Sequence, residues 1–124
     1  MIYDEKKNFE AACKYLFEAI RREANWAVPY NSIGTSYFFE KKYDDAWSYY
    51  MKAIERSPNW ARPHMWLGDV AMRRNDFVTA TDEYQKALDL AQSGNTSLDL
   101  NDIKKRLDQA KKKSQQAAEN EIID

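Results

Sequence analysis

Few residues of this chain could do chemistry. Among its 124 residues there is one histidine, His64, and one cysteine, Cys13. A zinc site built from histidine and cysteine, an iron–sulfur cluster and a disulfide framework each need several such ligands, so the composition excludes all three. A mechanism that needs two imidazoles is excluded for the same reason. We therefore predict no metal site and no cofactor.

Two pairs of adjacent carboxylates, Asp44-Asp45 and Asp82-Glu83, are the remaining candidates for acid–base chemistry. Such chemistry needs an enclosed pocket around the carboxyl groups, and charges at a helix start or on a solvent-facing surface explain both pairs more simply. The chain also lacks the HExxH, GxSxG, GxGxxG and P-loop motifs. We predict that it has no catalytic residue and is not an enzyme.

The charge balance and the hydropathy pattern exclude further classes of protein. Nineteen Lys and Arg oppose twenty Asp and Glu, for a formal net charge of −1, which argues against a chain built mainly to bind nucleic acid. No apolar run approaches the roughly 20 residues of a membrane span, and the N-terminus lacks a signal-peptide core. We therefore expect no nucleic-acid partner, no membrane insertion and a cytoplasmic location.

The strongest signal in the sequence is an internal repeat of 34 residues. Residues 25–58 laid over residues 59–92 match at nine positions, most of them small, aromatic or proline. One period earlier, residues 9–24 match residues 43–58 at five positions. The chain therefore holds two full units and the later part of a third. The nine identities are Asn25/Asn59, Trp26/Trp60, Ala27/Ala61, Pro29/Pro63, Gly34/Gly68, Ala46/Ala80, Tyr50/Tyr84, Lys52/Lys86 and Ala53/Ala87.

Each unit is predicted to fold as two helices. Pro29 and Pro63 stand where a first helix begins, because the first turn of a helix tolerates a missing N–H. Apolar residues then recur at spacings of three and four, as one face of a helix requires. The polar stretches 40–42 and 73–75 interrupt this pattern and separate the first helix from the second.

Small residues are predicted to let the two helices of a unit approach closely. Gly34 and Gly68 lack a β-carbon, and a glycine in mid-helix costs about 1 kcal/mol relative to alanine, which favours a packing role. One helix pair cannot bury its apolar face alone, so we expect neighbouring pairs to stack. Four alanines are expected to keep the opposing surface shallow: Ala46, Ala53, Ala80 and Ala87.

The pattern resembles the tetratricopeptide repeat, whose signature is W-x2-L-G-x2-Y, then A-x3-F and P over 34 residues. The first full unit reads Tyr30-x2-Ile33-Gly34-x2-Tyr37, Ala46-x3-Tyr50 and Pro58, and the second reads His64-x2-Leu67-Gly68-x2-Ala71 and Ala80-x3-Tyr84. His64 and Ala71 replace aromatic residues of the signature, and Gln92 replaces its proline. The resemblance implies an all-α, right-handed superhelical solenoid of antiparallel helix pairs with a C-terminal capping helix.

On this pattern we divide the chain into five segments. The segments are an incomplete first repeat unit over 1–24, full units over 25–58 and 59–92, the capping helix over 98–114, and a disordered tail over 115–124.

The polar back of the capping helix carries a basic run over residues 104–113, which we interpret as a solvated face. Contact of this run with phosphate or anionic lipid is the alternative, and it would depend strongly on salt.

The resemblance also implies a binding site, because in this family the first helices line the concave side of the superhelix. The faces that point into the groove carry more apolar surface than a solvated face should, and exposed apolar patches mark recognition surfaces. The predicted groove residues are Asn31, Thr35, Phe38, Phe39, Arg62, Met65, Trp66, Asp69, Met72 and Arg73.

The resemblance therefore implies an adaptor or scaffold that binds a peptide or helix of a partner protein. Family members that bind a C-terminal carboxylate use Lys, Asn and Arg, but here the matching positions hold Asn31 and Thr35, then Arg62 and Trp66. A two-carboxylate clamp is thus not supported. The alternative function is a self-association module of a larger repeat protein, in which the incomplete first unit exposes Tyr15 or Phe17 and a second copy covers it.

Overall fold

The structure is a computed structural model, and it describes residues 5–22, 26–93 and 98–123. Side chains are described for residues 9–18, 26–93 and 98–120. The regular structure in these ranges is helical throughout, with no strand, as the sequence predicts. None of the described helices combines the length and apolar character needed to cross a membrane. The helices are α1 (Glu5–Arg22), α2 (Ala27–Phe39), α3 (Tyr43–Arg56), α4 (Ala61–Arg73), α5 (Phe77–Ser93) and α6 (Leu100–Ile123).

The chain divides into two compact units. The first, Met1–Pro58, contains α1, α2 and α3, and the second, Asn59–Asp124, contains α4, α5 and α6. Within the first unit α2 packs on both α1 and α3, and within the second α5 packs on both α4 and α6. The ends of the predicted incomplete unit, residues 1–4 and 23–24, lie outside the described residues.

The helices α2 and α3 form an antiparallel hairpin. The guanidinium carbon of Arg56, at the end of α3, lies 4.0 Å from the centroid of the Tyr30 ring near the start of α2. At the other end of the pair, the rings of Phe38 and Tyr43 pack edge to face with their centroids 5.6 Å apart. The start of one helix therefore lies beside the end of the other.

A tyrosine ring occupies the space that Gly34 and Gly68, the glycines at the same repeat position, each leave open. A β-carbon built on Gly34 would lie 2.7 Å from Cε1 of Tyr50, well inside van der Waals contact, and Gly68 faces Tyr84 in the same way. Both tyrosines are almost completely buried. The sequence analysis expected a neighbouring backbone at these glycines, but the ring of the second helix fills the space instead.

Each hairpin turn contains one residue in the left-handed backbone region. Lys41 has a φ of 60° and Asn75 a φ of 61°. The N–H of Lys41 donates to the carbonyl of Phe38 at 3.0 Å, and the N–H of Lys42 donates to the carbonyl of Tyr37 at 2.9 Å. This pair of bonds is the Schellman motif that closes a helix C-terminus. The same pair of bonds closes the turn at Asn75.

The last helix extends further than the sequence predicted. The helix predicted to end at residue 114 runs to Ile123, which corrects the expectation of a disordered tail over 115–123, while Asp124 lies outside the described residues. The stretch contains no Gly or Pro and is rich in Ala, Gln and Glu, which are good helix formers. Its low apolar content makes it exposed rather than irregular: residues 115–120 all face solvent.

We expect Lys41→Gly to stabilise the protein. A residue with a β-carbon in the left-handed region costs about 1 kcal/mol, and glycine removes most of that penalty. Chemical denaturation should therefore give a gain of about 0.5–1 kcal/mol in the free energy of unfolding. Asn75→Gly is the matched control, because asparagine already tolerates this region and the gain should be smaller. A loss of stability in Lys41→Gly would contradict the role assigned to this turn.

Candidate functional site

One face of α2 remains accessible within the folded chain. Because a helix advances about 100° per residue, Val28, Ser32, Thr35 and Phe39 follow a single line along it. Phe39 is 71% exposed and Val28 is 41% exposed, while Ser32 and Thr35 between them are half-buried. We call these four residues the α2 stripe.

Two predicted groove residues of α2 lie off this stripe, in the core. Asn31 is 6% exposed and Phe38 is 7% exposed. The Phe38 ring packs edge to face against Tyr43 and against Phe39. Consecutive residues of a helix point about 100° apart, so only one of the two adjacent phenylalanines can face outward. The sequence analysis placed both in the groove, and the structure places Phe38 in the core.

Hydrogen bonds inside the chain use the hydroxyl groups of Thr35, on the α2 stripe, and of Ser36, beside it. The Oγ1 of Thr35 donates to the carbonyl of Asn31 at 3.1 Å, and the Oγ of Ser36 donates to the carbonyl of Ser32 at 3.1 Å. The Tyr50 hydroxyl lies 3.0 Å from Oγ1 of Thr35, and since the single Thr35 proton is already donated, Tyr50 is the donor there. The α2 sequence, AVPYNSIGTSYFF, carries no charged residue.

The equivalent face of α4 carries charge. Met65 occupies the same repeat position as Asn31 and, at 6% exposure, is buried to the same extent, so it too lies in the core rather than on the predicted groove surface. Met72 is half-buried. The remaining four predicted groove residues of α4 follow one line along the helix, and of these Arg73 is exposed while the other three are half-buried. We call them the α4 stripe: Arg62, Trp66, Asp69 and Arg73.

Asp69 of the α4 stripe is held by two other helices of its own unit. The Tyr84 hydroxyl donates to Oδ1 of Asp69, and Nη1 of Arg106 donates to Oδ2. The Nε of Arg106 also donates to Asp102 at 3.2 Å. Burial, followed by the nearby charge of Asp69, raises the pKa of Tyr84 far above its ordinary range, so the phenol stays protonated and donates. Arg106, which the sequence analysis placed in a solvated basic run, thus balances the charge of Asp69.

A second polar contact joins α4 to α5. The Nδ1 of His64 lies 2.8 Å from Oε2 of Glu83, and Nζ of Lys86 lies 3.5 Å from Oε1. Glu83 is only 8% exposed, which corrects the expectation that the pair Asp82-Glu83 faces solvent. Burial acts to raise the pKa of Glu83, but the hydrogen bond with His64 and the charge of Lys86 outweigh it and lower the pKa.

The other chemistry-bearing groups do not assemble into a reactive site. Within the described ranges no three His, Cys, Asp or Glu side chains group closely enough to hold a metal ion. Cys13 is 8% exposed, and burial raises the pKa of its thiol by more than nearby Lys42 lowers it, which disfavours the reactive thiolate. A shallow groove of about 240 Å³ between the start of α5 and the second half of α6 includes Asp76, whose carboxylate accepts the N–H of Thr79.

The α2–α3 hairpin is the part of the chain that a known family describes. Residues 27–59 match the family model of the tetratricopeptide repeat. This match identifies the α2–α3 hairpin as one tetratricopeptide repeat. The matched stretch contains the glycine–tyrosine contact of the first unit and the whole α2 stripe.

Solved tetratricopeptide repeat domains share the fold. The TPR2B domain of yeast Sti1 in its pHsp70 complex is 20% identical, with a TM-score of 0.79 over 86% of each chain. The Sgt2 TPR domain of Aspergillus fumigatus is 17% identical, with a TM-score of 0.78 over 92% of this chain and 73% of that one. The type III secretion translocator chaperone SycD of Yersinia enterocolitica is 13% identical, with a TM-score of 0.78 over 89% of this chain and 77% of that one. Among curated protein sequences none matches the chain. The predicted all-α tetratricopeptide repeat fold is thus confirmed.

Phe38 and Phe39 provide a matched test of which face is core. We expect Phe38→Ala to lower the free energy of unfolding by about 3 kcal/mol or more, because it leaves a cavity in a packed interior. Phe39→Ala removes a largely exposed ring and should change stability by no more than about 0.5–1 kcal/mol. Urea denaturation of both variants measures the difference, and equal losses would contradict the assignment of the two faces.

The lowered pKa of Glu83 predicts a pH-dependent share of the stability. A carboxyl group whose pKa is lower in the folded state stabilises the fold above its unfolded pKa, about 4.3, and this contribution disappears as the pH falls through the folded pKa. Glu83→Gln should cost about 1–3 kcal/mol at pH 7. The difference from wild type should shrink between about pH 5 and pH 3.

Thermal unfolding of wild type and Glu83→Gln across this pH range measures the effect. Asp82→Asn, which changes the exposed neighbouring carboxylate, serves as the control and should cost little at any pH. A Glu83→Gln deficit that stays constant down to pH 3 would show that Glu83 is not held ionised in the fold.

Proposed function

We propose that this chain is an adaptor that binds a peptide or helix of a partner protein through the accessible faces of its first helices, α2 in the first unit and α4 in the second. The observation that carries the proposal is the α2 stripe, where Phe39 and Val28 are exposed on a helix without charged residues. Large apolar side chains exposed together on one face are typical of recognition surfaces. We assign the protein no catalytic step and no cofactor.

We leave four of the predicted groove residues out of the proposed contact surface, because three are buried and one is bonded inside the chain. Asn31, Phe38 and Met65 support the surface from within the core, and Asp69 is engaged by Tyr84 and Arg106. The residues that we propose to contact the partner are Thr35 and Phe39 on α2, and Arg62, Trp66, Met72 and Arg73 on α4.

The fold neighbours support the class of function rather than the identity of the partner. The Sti1 domain was solved as a complex with pHsp70, which supports a role for this fold in binding a partner. The positions that would form a carboxylate clamp here include a buried Asn31 and a Thr35 whose hydroxyl is bonded to its own helix. We therefore propose binding through apolar side chains rather than through a terminal carboxylate.

Self-association is a second candidate function, and one observation favours it. Tyr15 on α1 is 74% exposed and Phe17 is 42% exposed, although Phe17 keeps an edge-to-face contact with Tyr49. Another copy of the chain could cover this face. In that case sedimentation would show a mass that rises with concentration, and Tyr15→Ser would reduce the association.

The adaptor proposal predicts that a double variant at the two stripes loses partner binding but keeps its fold. Partners captured on the immobilised chain are identified and purified, and their affinities are measured by titration calorimetry. We expect Phe39→Ala combined with Arg73→Ala to weaken binding by about tenfold or more, since recognition energy concentrates in a few side chains. The thermal unfolding midpoint should change little, because both side chains are exposed.

Val78→Ala is the matched control for this experiment. Val78 is 64% exposed and apolar but lies on α5, outside both stripes. Binding that is equally weakened by Val78→Ala, or that survives the double variant unchanged, would show that the partner site lies elsewhere.

A further inference from the structure

The α2 stripe also indicates the chemistry of the segment that binds to it. We infer that this segment is an uncharged, apolar stretch of the partner protein, with a bulky apolar side chain at its centre. The inference rests on the proposed function, because it describes what the proposed adaptor binds along α2.

The absence of charge on α2 is the first argument. No Asp, Glu, Lys or Arg occurs between Ala27 and Phe39. A charged side chain of a partner pressed against this helix would lose its water without gaining an opposite charge, and such desolvation is strongly unfavourable. An apolar side chain loses nothing by the same transfer and gains the burial of apolar surface.

The internal hydrogen bonds of α2 are the second argument. Thr35 and Ser36 donate their hydroxyl protons to carbonyls of their own helix, and Thr35 in addition accepts the Tyr50 hydroxyl. These hydroxyl groups therefore have little donor capacity left for a polar ligand. Thr35, one of the two polar residues of the stripe, therefore has no proton left to donate to a partner.

The order of side-chain sizes along the stripe is the third argument. Val28 and Phe39 are eleven positions apart, or roughly 16 Å along the helix axis. Between them lie only the small side chains of Ser32 and Thr35. Because Ser32 and Thr35 are much smaller than the apolar residues at the two ends, this order of sizes suits one bulky apolar side chain from a bound segment.

A second copy of the chain is a less suitable occupant than a partner segment. A stable protein dimer buries about 1,200–2,000 Å² in total. A fully buried aromatic side chain contributes only about 150–250 Å², and the stripe exposes one phenylalanine and one valine. A surface of this size suits a short segment bound with modest affinity.

Synthetic peptides and the full chain test the inference directly. The first probe is a fluorescent 15-residue helical peptide with leucines at spacings of three and four on one face. In the second probe the central leucine is replaced by glutamate, and the third probe is an acidic peptide with a free C-terminal carboxylate. Fluorescence anisotropy should show saturable binding of the first probe and binding at least tenfold weaker for the other two.

Substitutions at Ser32 locate the binding to the stripe. Both Ser32→Glu and Ser32→Lys should weaken binding of the first probe by about tenfold or more, because either charge would be desolvated beneath an apolar ligand. The matched controls are Ser48→Glu and Ser48→Lys, which place the same charges at an exposed position of α3, and both should bind like wild type.

The outcomes separate this inference from the adaptor proposal. If the acidic peptide binds more tightly, or Ser32→Lys strengthens binding, the inference is overturned while the adaptor role stands. Failure of the wild-type chain to bind the leucine peptide also overturns it. A dimer that Ser32→Glu dissociates would identify a second copy as the occupant. The adaptor proposal itself is tested separately, with the natural partner, by the Phe39 and Arg73 double variant and its Val78→Ala control.

Discussion

The contact between a glycine of the first helix and a tyrosine ring of the second is the constraint on which each hairpin depends. Because Gly34 has no β-carbon, the Tyr50 ring can approach α2 closely and be buried completely. From this position the Tyr50 hydroxyl reaches Thr35 of the α2 stripe. The packing of the core thus determines one contact of the surface proposed to bind a partner.

The second unit repeats this geometry with a different residue at its end. Tyr84 inserts over Gly68 as Tyr50 does over Gly34, but its hydroxyl meets the carboxylate of Asp69 instead of a threonine. A half-buried carboxylate needs a balancing cation, and Arg106 of α6 supplies it. Aspartate in place of threonine at this one position therefore ties α6 to α4 in the second unit.

Sequence reasoning succeeds where the repeat itself carries the information. The 34-residue period, the hairpins and the importance of Gly34 and Gly68 all follow from spacing and residue size. The face of α2 required a finer distinction: Phe38 and Phe39 are chemically identical, and only the rotation of the helix about its axis separates core from surface. Periodicity read by eye as pairs of apolar residues does not fix that angle.

Contacts distant in sequence were beyond the same reasoning. Burial of Glu83 depends on His64, nineteen positions earlier, and the role of Arg106 depends on Asp69, thirty-seven positions earlier. When its own helix is considered alone, each of these charged residues is explained equally well as a residue that faces solvent. The helical end of α6 shows a related error, because low apolar content predicts exposure and says little about helix formation when Gly and Pro are absent.

The buried arc of α2 and the arc that we propose for recognition are separate, and this separation would let a repeat change its partner without losing its fold. On α2 the buried arc contains Tyr30, Ile33 and Gly34, whereas Val28, Ser32 and Phe39 lie outside it. Substitutions on the stripe therefore leave the core intact. The exception is the repeat position that Thr35 and Asp69 share, because the hydroxyl of the buried tyrosine is hydrogen-bonded to the side chain there. A substitution there alters the surface and the interior hydrogen bond together, so at this position specificity and stability cannot change independently.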